Sequence, residues 1–261
     1  MIARSVALSL LCAAPLVSQQ ADFRWEKALP AGSTVSAHNL NGDVTVTPSA
    51  SGKVEIVGVK RGNKRYFDEV TLEVVETRDG IMVCSMFKSA DMSCNERGFQ
   101  VHDHWGNRGR DWDDIQIDIE VKLPKGMQMS AHSVSGNVSV VGAEGDVRAG
   151  SVSGDVRMER LRASSVRATS VSGDVTVTVD ALTAMGDLKF TSVSGNVTVE
   201  LPKGTDADVT MRSVSGSLDS DFPLTLNGRM SRNRLEARIG KGGRDLEVTT
   251  VSGDVRLRAA K

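Results

Sequence analysis

One pentapeptide, Val-Ser-Gly-[Asp/Asn]-Val, constrains this chain more than any other feature. It stands at 134–138, 152–156, 171–175, 193–197 and 251–255, with a decayed copy, VSGSL, at 214–218. The first five starts in chain order lie 18, 19, 22 and 21 residues apart. Fainter echoes fall about half-way between them: AEGDV at 143–147, SSV at 164–166, MGDL at 185–188 and ADV at 207–209. A unit of about twenty residues holding two strands and two turns is one coil of a flattened β-solenoid, whose coils bury their apolar faces only against their neighbours. The expected fold class is therefore all-β, a predominantly parallel β-solenoid.

Each part of the pentad has a role in that fold. Gly136, Gly154, Gly173, Gly195, Gly216 and Gly253, and Gly42 of an earlier NGDV, are expected to supply positive φ at a tight corner, which a residue with a side chain adopts only at a cost. The short polar residues that follow, Asn137, Asp155, Asp174, Asn196 and Asp254, hydrogen-bond turn backbone and tolerate unusual dihedrals. The flanking valines are expected to point inward and to stack about 4.8 Å apart from coil to coil, with Ser, Thr and Arg outward. Composition agrees: 34 Val and 25 Gly stand beside ten aromatic residues, which suits a thin aliphatic core.

A second duplication extends the plan toward the N-terminus. Residues 29–46 (LPAGSTVSAHNLNGDVTV) align without gaps to 123–140 (LPKGMQMSAHSVSGNVSV), and LPKG recurs at 201–204. Leu-Pro-x-Gly reads as a turn that delivers the chain into a strand. One solenoid domain over 22–261 is expected, with regular repeats over 123–261 and an elaborated segment over 48–122. Strands are expected in that segment at 54–60, 70–77, 81–87 and 115–123, with a long polar loop over 88–114.

Residues 1–4 carry a short positive start, and the apolar run 5–17 falls short of the roughly 20 residues that span a bilayer as a helix. This is the layout of a cleaved signal peptide, assigned to 1–21, so export to the periplasm, outer surface or medium is expected. No other apolar run approaches membrane length, so the mature chain is expected to lack a transmembrane helix. If Cys12 leaves with the signal, Cys84 and Cys94 remain. A disulfide closing that loop would stabilise by about 2–3 kcal/mol. The competing reading is a metal site with His102, Asp103, His104, Asp111, Asp113 and Asp114, which lacks the spacing of a strong zinc signature.

An apolar start, an NGDV turn, a C-x9-C segment, an LPxG entry and iterated SVSGDV turns together resemble the bacterial putative-adhesin family of unknown function, related to the head domains of putative auto-transporter adhesins. The resemblance implies a β-solenoid, extracytoplasmic or membrane-associated, with no catalytic motif to carry over. Some similar proteins are associated with envelope stress, so an envelope-stress accessory role is one implied alternative.

A net charge of −1 without a cationic block argues against nucleic-acid partners. The corner aspartates lack the G-G-x-G-x-D-x-U-x density of a calcium-binding roll and read as turn residues, so neither metal nor cofactor is expected. A polysaccharide-processing β-helix enzyme would need two carboxylates at a defined separation. No catalytic residue is assigned. Two features remain as candidate contacts. Arg148, Arg167 and Lys189 recur at coil spacing and stack into a cationic column, a candidate contact for an anionic envelope polymer or lipid headgroup. Trp105 and Trp112, in the 88–114 loop, either form a binding surface or belong to a cap over the solenoid end. The expected function is a non-enzymatic, exported interaction or adhesion scaffold of the cell envelope.

Overall fold

A computed structural model describes residues 21–88, 90–101, 115–226 and 231–260. The proposed signal segment therefore lies almost wholly outside the described residues. Two long sheets, of ten and eleven strands, enclose a continuous aliphatic core. A short antiparallel hairpin, Met92–Asn95 and Gly98–Val101, and one 3-10 helix, Lys64–Glu69, complete the described elements. The expectation of a predominantly parallel solenoid is met.

Each coil contributes one strand to each sheet. In the eleven-stranded sheet Val147–Ser153, Val166–Ser172 and Leu188–Ser194 pair in parallel without slippage. In the ten-stranded sheet Val138–Val141, Val156–Ala163, Val175–Leu182 and Val197–Leu201 do the same, with a bulge in the second. Register carries like onto like: Val44, Val138, Val156, Val175, Val197 and Val255 form one inward column, every member fully buried. β-branched side chains stack in such columns with little loss of rotamer freedom, which is why valine dominates the composition.

The first valine of each pentad does the opposite. Val134, Val152, Val171, Val193, Val251 and Val214 are 40–67% exposed, which corrects the expectation that both flanking valines point inward. The Gly-Asx corner interrupts the two-residue alternation, so the inward slot before it falls on the preceding Ser or Thr. Its hydroxyl donates to the glycine carbonyl of the adjacent coil at 2.8–2.9 Å: Ser133 to Gly42, Ser151 to Gly136, Ser170 to Gly154, Ser192 to Gly173, Thr250 to Gly195 and Ser213 to Gly253. The Asx amide is satisfied likewise, because a side-chain oxygen of the neighbouring coil accepts it at 2.7–3.0 Å. That ladder runs Asp118, Asp43, Asn137, Asp155, Asp174, Asn196, Asp254 and ends on the Ser217 amide. The corner polar residues thus bond the next coil rather than their own turn. Glycine is required chiefly by this stacking: a Cβ on Gly154 would lie 2.3 Å from the Gly136 carbonyl oxygen.

Coil order in space departs from order in sequence at both ends. Thr34–Asn41 and Val44–Pro48 lie between the regular repeats on one side and Gly80–Phe87 and Ile115–Leu123 on the other. At the opposite end Asp245–Ser252 and Val255–Ala259 occupy the level next to Leu188–Ser194 and Val197–Leu201, while the decayed coil, Ala207–Ser215 and Leu218–Ser220, sits outside them. Each of the three LPxG turns marks a jump over at least one level: from Phe23–Lys27 inward, from Ile115–Leu123 across the first coil, and from Val197–Leu201 past the level that the C-terminal coil later fills. The sequence shows the turns but not the jumps. Arg244, only 5% exposed, fastens the intercalated coil by donating to the carbonyl oxygens of Ser164 at 2.7 Å, Gly186 at 2.6 Å and Ala184.

Three of the four outermost positions among the described strands fall to antiparallel strands, which cover parallel edges that would otherwise template further pairing, and the fourth to the short parallel strand Leu218–Ser220. Val54–Gly62 and Phe23–Lys27 flank one sheet at its N-terminal end, Val70–Thr77 the other, and Arg234–Ile239 with Thr225–Leu226 close the far end of the eleven-stranded sheet.

Two outcomes follow. Ser170→Ala strands the Gly154 carbonyl and is expected to cost about 1–3 kcal/mol in denaturant unfolding, with Ser170→Thr close to neutral because Thr250 fills the same slot. Truncation after Arg244 removes an interior level rather than an end, so limited proteolysis is expected to cut throughout 205–244 as well, instead of leaving a trimmed solenoid.

Candidate functional site

The outward face of the eleven-stranded sheet carries three parallel columns, two residues apart along each strand. The first runs Ser36, Ser130, Arg148, Arg167, Lys189 and Glu247. The second runs Cys84, His38, His132, Gly150, Thr169 and Thr191. The third is the exposed valine ladder, preceded by Leu40.

The structure brings the sequence-singled cations together but does not leave all three equivalent. Lys189 is paired with Glu247 at 2.7 Å, an acid delivered by the intercalated C-terminal coil and therefore invisible to a reading in chain order. Arg148 and Arg167 are exposed, and among the described residues neither has an acidic group within 4.0 Å. Two like charges on adjacent strands repel, so this pair forms a local positive field with no counter-ion among the described residues.

The second column holds the residues that sequence reasoning missed. His38 and His132 stack with ring centroids 5.4 Å apart, and Phe99 of the hairpin stacks on the other face of His38 at 5.6 Å. The disulfide between Cys84 and Cys94, with Cα atoms 6.2 Å apart, ties that hairpin to the sheet. The signal was present in the gapless match of 29–46 to 123–140, which aligns His38 with His132; identical residues at one register position stack. Next in the column stands Gly150. A shallow depression of about 400 Å³ lies beside it, bounded by Phe99, His38, His132, Val134, Val152, Thr169 and Val171, with Asn39 below. The Nδ1–Cε1 edge of His132 leans over it, 2.9 Å and 3.3 Å from where a Gly150 Cβ would be, and Nε2 lies 3.1 Å from the Ser130 hydroxyl.

Burial, and then the neighbouring His132, lowers His38 to about 4; burial, and then Arg148, lowers His132. Both rings are therefore neutral at pH 7, and an undissociated imidazole offers one donor and one acceptor. Trp105 and Trp112, and the His102–His104 segment of the metal reading, lie outside the described residues. Among the described residues no three metal-ligating side chains converge, and no helix is long and apolar enough to cross a membrane.

The Toastrack DUF4097 family model matches residues 29–258. The chain belongs to the Toastrack DUF4097 family. The match to this Toastrack chain spans the first LPxG turn, the disulfide-tied hairpin and every pentad. No curated protein matches it. Among solved structures it is similar to a putative cell adhesion protein from Clostridium sporogenes, with TM-score 0.45, 10% identity and coverage of 91% of this chain and 99% of that one. It is also similar to a putative adhesin from Bacteroides fragilis, with TM-score 0.39, 12% identity and coverage of 91% and 96%.

The stacked histidines make stability acid-sensitive with a defined sign. An imidazole held neutral by burial binds a proton in the unfolded chain near pH 6.5 but in the folded chain only near 4 for His38. Its contribution is complete above about pH 6.5 and falls as pH drops toward 4, by up to about 3 kcal/mol. The difference in unfolding free energy between native protein and His38→Phe is expected to shrink or reverse across that window and to stay flat from pH 7 to 9.

Proposed function

We propose that this Toastrack chain is an exported, non-enzymatic interaction scaffold of the cell envelope, and that the outward face of its eleven-stranded sheet engages an anionic envelope component, a polymer or a lipid headgroup. The observation that carries the reading is the juxtaposition of Arg148 and Arg167, which have no acidic partner among the described residues, with a ladder of valines exposed among the described residues. Exposed apolar ladders invite association, and a stretch of this length with a cationic border fits a surface made to be covered. The corner carboxylates support a scaffold over a hydrolase: Asp155, Asp174 and Asp254 each accept a backbone amide of the neighbouring coil, a structural use that holds them in the ladder. The disulfide suits an oxidising compartment.

Charge reversal tests the reading. Arg148→Glu/Arg167→Glu is expected to abolish co-sedimentation with anionic vesicles or retention on an acidic polysaccharide, and to leave the melting temperature within a few degrees because both side chains are exposed. Retention equal to the native protein's on every anionic matrix would remove this face from consideration.

A further inference from the structure

The ring ladder Phe99, His38, His132 breaks off at Gly150, and the break is where the three columns differ most from a plain repeat. Thr169, Thr191 and Thr249 occupy the same register position in the following coils, so a side chain is compatible with the backbone there. At Gly150 the glycine makes room for the His132 ring edge, whose Nδ1 lies 2.9 Å from where a Cβ would be, rather than serving a turn, and the depression opens beside that edge.

Three different chemistries border that space. On one side the Cγ methyl groups of Val152 and Val171 form an apolar wall. At the end stands His132, with Nε2 beside the Ser130 hydroxyl and Nδ1 leaning over the depression. Just outside its lining, two residues back along each strand from Gly150 and Thr169, stand Arg148 and Arg167. Asn39, 2% exposed, also borders the depression, and its Oδ1 has no hydrogen-bond partner among the described residues. The volume, about 400 Å³, sits at the small end of the roughly 300–1,000 Å³ typical of small-ligand clefts.

A lipid headgroup would use the two arginines and leave the ring edge and the valine wall without a role. A flat bilayer resting on the valines would not descend to Gly150. A sugar ring bearing a carboxylate uses all three surfaces: its C–H face against the valines and the imidazole, its hydroxyl edge at His132 Nδ1, its carboxylate toward guanidinium groups that pair with carboxylates in a planar fork.

We infer that the depression beside Gly150 is a subsite for a single uronic acid residue of an acidic polysaccharide, held between the valine wall and the His132 ring edge with its carboxylate toward Arg148 and Arg167. The inference rests on the reading of this face as an anion-binding surface and adds the ligand class and the place. Neighbouring units of the polymer then lie along the solenoid axis, in the groove between the cationic and valine columns.

The test measures affinity of the purified protein for polygalacturonate, neutral dextran, dextran sulfate and phosphatidylglycerol vesicles. Polygalacturonate is expected to bind and neutral dextran not. Gly150→Thr, which fills the gap with the residue of the adjacent coils, is expected to weaken polygalacturonate binding at least tenfold and to leave dextran sulfate unchanged. Thr169→Trp fills the same space from an exposed position and is expected to act alike, which keeps the test decisive should Gly150→Thr fold poorly against the His132 ring. Native-like polygalacturonate binding by both variants, combined with loss in Arg148→Glu/Arg167→Glu, overturns the subsite and leaves the anion-binding face standing. Binding to vesicles alone overturns the subsite in favour of lipid. Absence of binding to all three anionic matrices overturns both.

Discussion

Every coil of this protein turns a corner against the backbone of its neighbour, and that contact leaves no room for a side chain. The glycine carbonyl and the following amide then lack strand-type partners at the bend. A buried backbone group without a partner is destabilising by an amount comparable to a lost hydrogen bond. Two short side chains satisfy the pair: a hydroxyl at the inward slot donates to the carbonyl, and an Asx oxygen of the adjacent coil accepts the amide. Ser, Gly and Asx are therefore required together. Alternation of Asn137 and Asn196 with the aspartates thins the negative charge along the ladder while keeping the acceptor oxygen, and Asp118 at its start is neutralised by Arg61.

With the corner and the inward columns committed to stacking, variation is confined to outward positions. The candidate site arises there because one coil departs from the pattern: His38 and His132 come from the duplicated N-terminal unit, Gly150 from the next coil, and the hairpin tied by Cys84–Cys94 adds Phe99. A repeat supplies identical slots at strand spacing, and a break in the repeat turns a slot into a recess. The same geometry holds the two arginines side by side, since in-register parallel pairing forces like residues together whether or not they attract.

The ends show a different solution to a constraint common to all solenoids, that terminal coils expose edges. Here the chain overshoots, builds the outer level, and returns to fill the one it skipped, so a regular coil is never left outermost. The decayed VSGSL copy belongs to this arrangement: its strand Leu218–Ser220 has a neighbour on one side only, and the Asx ladder ends on the Ser217 amide.

The repeat, the two-strand coil, the inward columns and the identity of the corner residues were legible in the sequence because each depends on contacts repeated at a constant interval. Register made the Arg148, Arg167, Lys189 column legible as well. The sequence did not reveal that the first valine of the pentad faces out, since the phase change at a Gly-Asx bend depends on how many residues the corner consumes. It did not reveal the level jumps, the pairing of Lys189 with Glu247 or the latch of Arg244, because those partners are some sixty to eighty residues apart and their meeting depends on which level the chain enters after LPxG. Local periodicity by itself determined what kind of object this protein is; the order in which its coils stack, and hence the recess beside His132, was decided only by tertiary structure, because near-identical pentads present the same corner contacts to any neighbour and carry no signal of which one they meet.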